Sequence, residues 1–76
     1  MRYYWKIDLI SPINHTDGFS KCVSVETKET EDSIIQLAVE NEVIDSEDFE
    51  DYSVSAEEIT NDSYEMKIWK EDAIEM

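Results

Sequence analysis

The chain has 76 residues, of which twenty are Asp or Glu and six are Lys or Arg, so its formal net charge at pH 7 is −14. A chain of this length buries only about 60% of the surface that its unfolded form exposes, which leaves little room for an enclosed catalytic pocket. Direct binding to nucleic acid or to an anionic membrane is disfavoured, because each phosphate contact needs a cation. With one Cys, the chain has neither a disulfide framework nor the Cys spacing of a zinc site.

Charged residues interrupt every apolar run well before the roughly 18 residues that a transmembrane helix requires. Lys6 and Asp8 lie where a signal peptide would need an unbroken apolar stretch. Although the charge is high, 41% of the residues are hydrophobic and they recur with regular periods, which favours a folded chain over a disordered one. We therefore expect a soluble, cytoplasmic protein that folds as a single domain over residues 1–76.

Alternating side chains predict two strands in the first third of the chain. Residues 3–10 place Tyr3, Trp5 and other apolar residues on one side, and residues 19–28 resume the alternation. Residues 11–18 contain the only Pro and the only Gly, so they are expected to form a surface loop. The two strands should pair antiparallel.

A helix is predicted from Thr30, whose hydroxyl can cap it, to residues 41–44. Its apolar stripe consists of Ile34, Ile35, Leu37, Ala38 and Val39. Residues 45–51 are too acidic for a core element, and we expect a loop or one helical turn there. In the second case Ser46 would cap the turn and Phe49 would point inward.

Alternation at residues 52–57 and 64–69 predicts two more strands, joined by a hairpin turn at residues 60–63. The predicted fold is therefore α+β with the order ββαββ, a four-stranded antiparallel sheet covered on one face by a single helix. The aromatic residues expected in the core are Tyr3, Trp5, Phe19, Tyr52 and Tyr64. Tyr4 and Trp69 lie on the other side of their strands. They are interpreted either as exposed binding anchors or as part of a partly covered sheet or dimer contact, so monomer and homodimer both remain possible.

The negative charge is confined to one half of the chain. Residues 29–66 hold fourteen carboxylates and no Lys or Arg, whereas the other 38 residues hold six acids and six bases. One interpretation is a solvated face that maintains solubility, and the other is a surface that meets a basic partner. Because DNA carries one charge per about 1.7 Å of its axis, dense carboxylates can occupy a cationic groove that evolved for phosphates. The residues predicted to bind such a partner are Glu40, Glu42, Asp45, Glu47, Asp48, Glu50, Asp51, Glu57, Glu58 and Asp62, together with Tyr4 and Trp69.

This small size, localised acidity and ββαββ layout resemble those of small phage-encoded inhibitors of bacterial defence, such as anti-CRISPR and anti-restriction proteins, several of which mimic DNA. The resemblance covers composition and layout over the whole chain and carries over no individual residue. It implies a non-enzymatic inhibitor in the cytoplasm of a host bacterium, one that occupies the nucleic-acid-binding surface of a nuclease or CRISPR-type effector. The alternative is an acidic interaction module, such as an antitoxin or immunity-type protein, that neutralises a basic partner without mimicking DNA.

Other chemistry has weaker support in the sequence. The acidic residues of 45–51 could coordinate Ca²⁺ or Mg²⁺, but they lack the spacing and the Gly of an EF-hand loop, so we expect neither a metal nor a cofactor. His15 and Asp17 would need Ser11, Ser20 or Cys22 nearby as a nucleophile, and no catalytic motif surrounds them. We therefore expect no enzyme.

Overall fold

The computed structural model describes residues 2–14, 16–60 and 63–76. These residues form an α+β fold in which a four-stranded sheet packs with three helices. In chain order the elements are β1 (Tyr3–Ile10), β2 (Gly18–Val25), α1 (Glu31–Glu40), α2 (Ser46–Asp51), β3 (Ser53–Glu58), α3 (Tyr64–Glu71) and β4 (Ile74–Glu75).

The sheet is mixed, so the predicted antiparallel sheet is wrong. Its strand order is β3-β1-β2-β4; β1 runs antiparallel to both β2 and β3, whereas β2 and β4 are parallel. The predicted β1–β2 pair is confirmed, with Trp5 opposite Val23. β3 pairs with β1, where Ile7 lies opposite Ala56, and does not form a second hairpin.

The core lies between one face of this sheet and α1. Trp5, Ile7 and Leu9 of β1 are buried there with Ile34 and Ala38 of α1. The alternation along β1 places its apolar side chains on one face, and the helical spacing in α1 presents a matching stripe. Val23 and Val25 of β2 and the segment after α1, Val43 and Ile44, complete the core.

The start of α1 is capped as the sequence predicts. The Thr30 hydroxyl accepts a hydrogen bond from the Ser33 backbone N–H (3.3 Å), and the Thr30 backbone N–H donates to the Ser33 hydroxyl (2.9 Å). After α1, Glu42 has a φ of 60°, and the N–H groups of Val43 and Ile44 both bond to the Ala38 carbonyl. This turn brings the chain back onto the core.

Residues 64–71 form a helix, so the predicted fourth strand is wrong. The Ser63 hydroxyl accepts a hydrogen bond from the Met66 N–H (3.3 Å) and caps α3. Met66, Trp69, Lys70 and Ala73 are half-buried, and their spacing is that of one helical face. α3 covers the face of the sheet opposite α1, so the prediction of a single covering helix is also wrong.

The aromatic residues divide differently from the prediction. Trp5 is buried and Tyr3 and Tyr52 are half-buried, but Phe19 is exposed and Tyr64 is 81% exposed. Phe19 and Tyr52 make an edge-to-face contact with ring centroids 5.5 Å apart.

Residues 45–51 do contain a short helix, α2, but its N-cap is Asp45, not Ser46. Phe49 of this helix is 46% exposed and does not point into the core. The predicted turn at residues 60–63 includes Asn61 and Asp62, which lie outside the described residues, as does His15.

Candidate functional site

Most of the predicted partner-binding carboxylates lie together on α1, α2 and the segment that joins these helices. Asp48 among them is half-buried and the others are exposed. Glu42, Asp45 and Glu47 border one shallow depression of about 590 Å³. We call this surface the acidic face, and its residues are Glu40, Glu42, Asp45, Glu47, Asp48, Glu50 and Asp51.

The other predicted binding residues lie elsewhere. Glu57 faces the same side of the sheet as its cross-strand partner Lys6, which is the side that α3 covers. Glu57 and Glu58 border a separate small cavity with Lys6, and Asp62 lies outside the described residues.

Tyr4 and Trp69 are half-buried between α3 and the sheet. The Lys6 ammonium lies 5.1 Å from the Trp69 ring centroid, and the Lys70 ammonium lies 5.5 Å from that of Tyr4. Tyr4 and Trp69 therefore lie on a partly covered face of the sheet, which is one of the interpretations that the sequence left open.

No described Lys or Arg forms an ion pair with the acidic face; the nearby Lys21 ammonium of β2 donates instead to the Val43 carbonyl at 2.6 Å. Among the described residues, the ion pairs are Arg2 with Glu26 (3.3 Å) and Lys6 with Asp8 (4.0 Å), and both lie outside residues 29–66. Thirteen of the fourteen carboxylates of that segment are described, all except Asp62, and none of them pairs with a described Lys or Arg. By contrast, α3 carries two Lys and two Glu, which cancel. The two helix-covered faces of the sheet therefore differ in charge.

Two carboxylates near the start of α1 have structural roles instead. The Glu31 carboxylate accepts a hydrogen bond from the Ala56 N–H of β3 at 3.0 Å. The Glu29 carboxylate accepts from the Thr27 and Ser33 hydroxyls at 2.8 and 2.9 Å. Neither belongs to the acidic face.

A groove runs beside the acidic face, between α1, α2 and β3. Its volume is about 730 Å³. Its apolar residues are half-buried except for Phe49, and its polar residues are exposed, so it has an apolar floor and an acidic rim. We call it the α1–α2 groove; the floor is Ile35, Val39, Phe49, Tyr52 and Val54, and the rim is Asp32, Gln36 and Glu40.

Sequence reasoning missed this groove. The apolar stripe predicted for α1 includes Ile35 and Val39, yet both are only half-buried. A signal was present in the spacing of Asp32, Gln36 and Glu40, which places three polar residues along one line of the helix.

The candidate nucleophiles are engaged in structural contacts. The Ser11 hydroxyl accepts hydrogen bonds from the N–H groups of Ile13 and Asn14 within the β1–β2 loop. The Ser20 hydroxyl donates to the Asp8 carboxylate. Cys22 is buried, and burial raises the pKa of its thiol, an effect that the nearby Lys70 ammonium only partly offsets. A raised pKa is the reverse of what an activated thiolate needs.

Within residues 2–14, 16–60 and 63–76, no group of three or more His, Cys, Asp or Glu side chains is arranged to hold a metal ion. None of the helices in this part of the chain combines the length and the apolar character needed to cross a membrane. No protein-family model, curated protein or solved structure matches the chain.

Proposed function

We propose that this protein is a non-enzymatic inhibitor that acts in the cytoplasm of a bacterial host. Its acidic face binds the basic nucleic-acid-binding surface of a nuclease or CRISPR-type effector and takes the place of DNA. The observation that supports this proposal is the crowding of seven carboxylates on α1, α2 and the segment between them, with no described base paired to any of them.

The charge density of α2 supports mimicry. Four of its six residues are Glu or Asp. At 1.5 Å of rise per residue the helix is about 9 Å long, which gives one negative charge per roughly 2 Å. Duplex DNA has one per about 1.7 Å of its axis. A cationic groove shaped for phosphates therefore meets a comparable linear charge.

The unpaired state of these carboxylates also favours association. No ion pair with a described base has to break before a Lys or Arg of the partner approaches. Crowded like charges repel one another in the free protein, and a cationic partner relieves that repulsion. Such a complex should form quickly and should weaken steeply as salt increases.

The second candidate function is an acidic interaction module that neutralises a basic partner without mimicking DNA. The α1–α2 groove favours this candidate, because its apolar floor has no counterpart in a phosphate backbone. The two functions share a basic partner and differ in whether DNA and this protein compete for the same surface.

The test is a triple charge reversal on the acidic face, Asp45→Lys with Glu47→Lys and Asp48→Lys. Proteins captured from a bacterial lysate by the native chain are identified, and the affinity of each for DNA is measured with and without the inhibitor. The proposal expects the triple variant to lose capture and the native chain to lower DNA affinity. The matched control is Glu71→Lys with Asp72→Lys and Glu75→Lys, which changes the charge equally with exposed residues on α3 and after it.

Capture that is unchanged by the triple reversal would remove the acidic face as the interface. A captured partner whose DNA affinity stays the same would favour the interaction module over the mimic.

A further inference from the structure

The α1–α2 groove has features that charge mimicry does not require. We propose that this groove binds a cationic amphipathic helix of the partner protein, a proposal that rests on the proposed function because that function supplies the basic character of the partner. The proposal names the chemistry of the contacting segment, with apolar side chains on the floor and Lys or Arg at the rim.

The apolar floor is the first reason. Phe49 is 46% exposed and lies in a groove with four half-buried apolar residues from α1 and the Tyr52–Val54 segment. Exposed aromatic surface contributes neither to solubility nor to resemblance to DNA, and buried aromatic side chains contribute strongly to protein interfaces. A partner that covers Phe49 with apolar side chains removes this surface from water.

The rim determines the charge of the occupant. Asp32 and Glu40 lie eight residues apart along α1, which corresponds to about 12 Å, and Gln36 lies between them. The lining residues include no Lys or Arg. Two cations that are held about 12 Å apart would each meet one carboxylate. On a helix this separation corresponds to positions i and i+7 or i+8, two turns apart on one face.

The free edge of β3 distinguishes a helical from an extended occupant. An extended peptide that adds to this edge needs the outward backbone groups of β3. The Ala56 N–H is one of these groups, and it already donates to the Glu31 carboxylate at 3.0 Å. An added strand would therefore have to displace the Glu31 side chain from β3 beside the groove. A helix needs no backbone bond from β3, and it can lie along the apolar floor.

The test uses a synthetic peptide of about 14 residues as a probe. It is designed to be helical, with two lysines two turns apart on a face that also carries two leucines. A proline-containing isomer of the same composition cannot form the helix, and a third peptide replaces both leucines with serine. Binding to the full chain is measured by fluorescence anisotropy at several salt concentrations.

We expect the helical peptide to bind at least about tenfold more tightly than the proline isomer and the serine peptide. Phe49→Ser should lower its affinity by about tenfold or more. Ile13→Ser is the apolar control, since Ile13 is 95% exposed on the β1–β2 loop, and it should leave the affinity unchanged.

The rim has its own matched pair of variants. Asp32→Asn with Glu40→Gln should weaken binding about tenfold and reduce its dependence on salt. Glu71→Gln with Glu75→Gln removes the same charge elsewhere and should have less than a twofold effect. Gln36→Lys is a second groove variant at an exposed helical position; it leaves the core unaltered and should repel the peptide.

Equal binding of all three peptides, or normal peptide affinity in both Phe49→Ser and Gln36→Lys, would overturn the groove proposal.

Failure of this proposal can be told apart from failure of the proposed function. If the Phe49→Ser chain still captures its partner at native affinity and still displaces DNA, the groove proposal fails and the proposed function stands. If the peptide data hold and the captured partner keeps its DNA affinity, the helix site stands without mimicry.

Discussion

Helix α3 closes one face of the sheet with little buried surface, and the substitution Trp69→Ala tests how firmly it is attached. None of the α3 side chains is fully buried, and Trp69 is the largest of the half-buried ones. Beneath the helix, Ile68 and Trp69 line a cavity of about 520 Å³ together with Cys22. Cys22 is buried there, so its thiol reports whether α3 is in place.

The expected effect follows from the contacts of Trp69. Replacing a fully buried Trp by Ala costs about 3–5 kcal/mol, and about half of that applies to a half-buried ring. This amount includes the cation–π contact with Lys6, which is typically about 0.5–1 kcal/mol. A loss of about 2 kcal/mol in the attachment of α3 makes its detachment about 30-fold more frequent.

The assay is the rate at which Cys22 reacts with an aromatic disulfide reagent under native conditions. In the closed protein the thiol is buried and its pKa is raised, so little thiolate is available. Detachment exposes the thiol and returns its pKa toward the ordinary value. We expect Trp69→Ala to react about 30-fold faster than the native chain, and Trp69→Phe to fall between them.

The control is Tyr64→Ala in the same helix, whose side chain is 81% exposed. Its labelling rate should equal that of the native chain. If Trp69→Ala lowers the melting temperature yet leaves the labelling rate unchanged, α3 does not shield Cys22, and the reasoning is refuted.

Three further predictions concern stability. Thr30→Ala removes the cap of α1 and should lower the free energy of unfolding in urea by about 1 kcal/mol; an unchanged midpoint would contradict the role of the Thr30–Ser33 capping box. Because burial raises the pKa of Cys22, the unfolded thiol ionises near its ordinary 9.0 and the folded thiol only at higher pH. Stability relative to Cys22→Ala should therefore fall as the pH rises above about 9, and parallel stability curves from pH 8 to 10 would refute this. Added salt should raise the melting temperature by screening the like charges of the acidic face. The double variant Glu47→Gln with Glu50→Gln should have a higher melting temperature than the native chain at low salt, and added salt should raise it less. Equal salt responses of the two proteins would count against repulsion between these carboxylates.

The first half of the fold could be predicted because its periodicity is unambiguous. Eight residues of β1 alternate, and its buried side chains Trp5, Ile7 and Leu9 are all at odd positions. In α1, the spacing of Ile34 and Ala38 fits a helix and not a strand. The N-cap residue and the helical spacing of the apolar residues both predict a helix in this segment, so local sequence and tertiary packing favour the same structure.

The strand predicted at residues 52–57 is confirmed as β3, but the one at residues 64–69 was mispredicted, because six residues are too few to separate the two periods. Tyr64, Met66 and Ile68 alternate as in a strand, yet Tyr64 and Ile68 also have the i, i+4 spacing of a helix. Trp69 did not fit the strand, and its spacing from Met66 indicated the helical face that packs on the sheet. β4 has only two residues, Ile74 and Glu75, which is too short for any periodic signal.

The acidic face was predictable as a run of charge, but the α1–α2 groove was not. Its floor combines Ile35 and Val39 of α1 with Phe49, Tyr52 and Val54. β3 lies beside α1 only because it pairs with β1, and pairing of distant strands leaves no mark in local sequence. A hairpin between residues 52–57 and 64–69 would have placed Tyr52 and Val54 in a different setting.

Ser24 joins the two ends of the described chain. Its carbonyl accepts hydrogen bonds from the Arg2 guanidinium and from the Met76 N–H, both at 2.9 Å, and its hydroxyl accepts from Arg2 Nε at 3.0 Å. The Arg2 side chain and the Met76 backbone are thus held by one residue of β2, so β2 cannot shift at Ser24 without breaking its contacts with both the segment before β1 and the segment after β4.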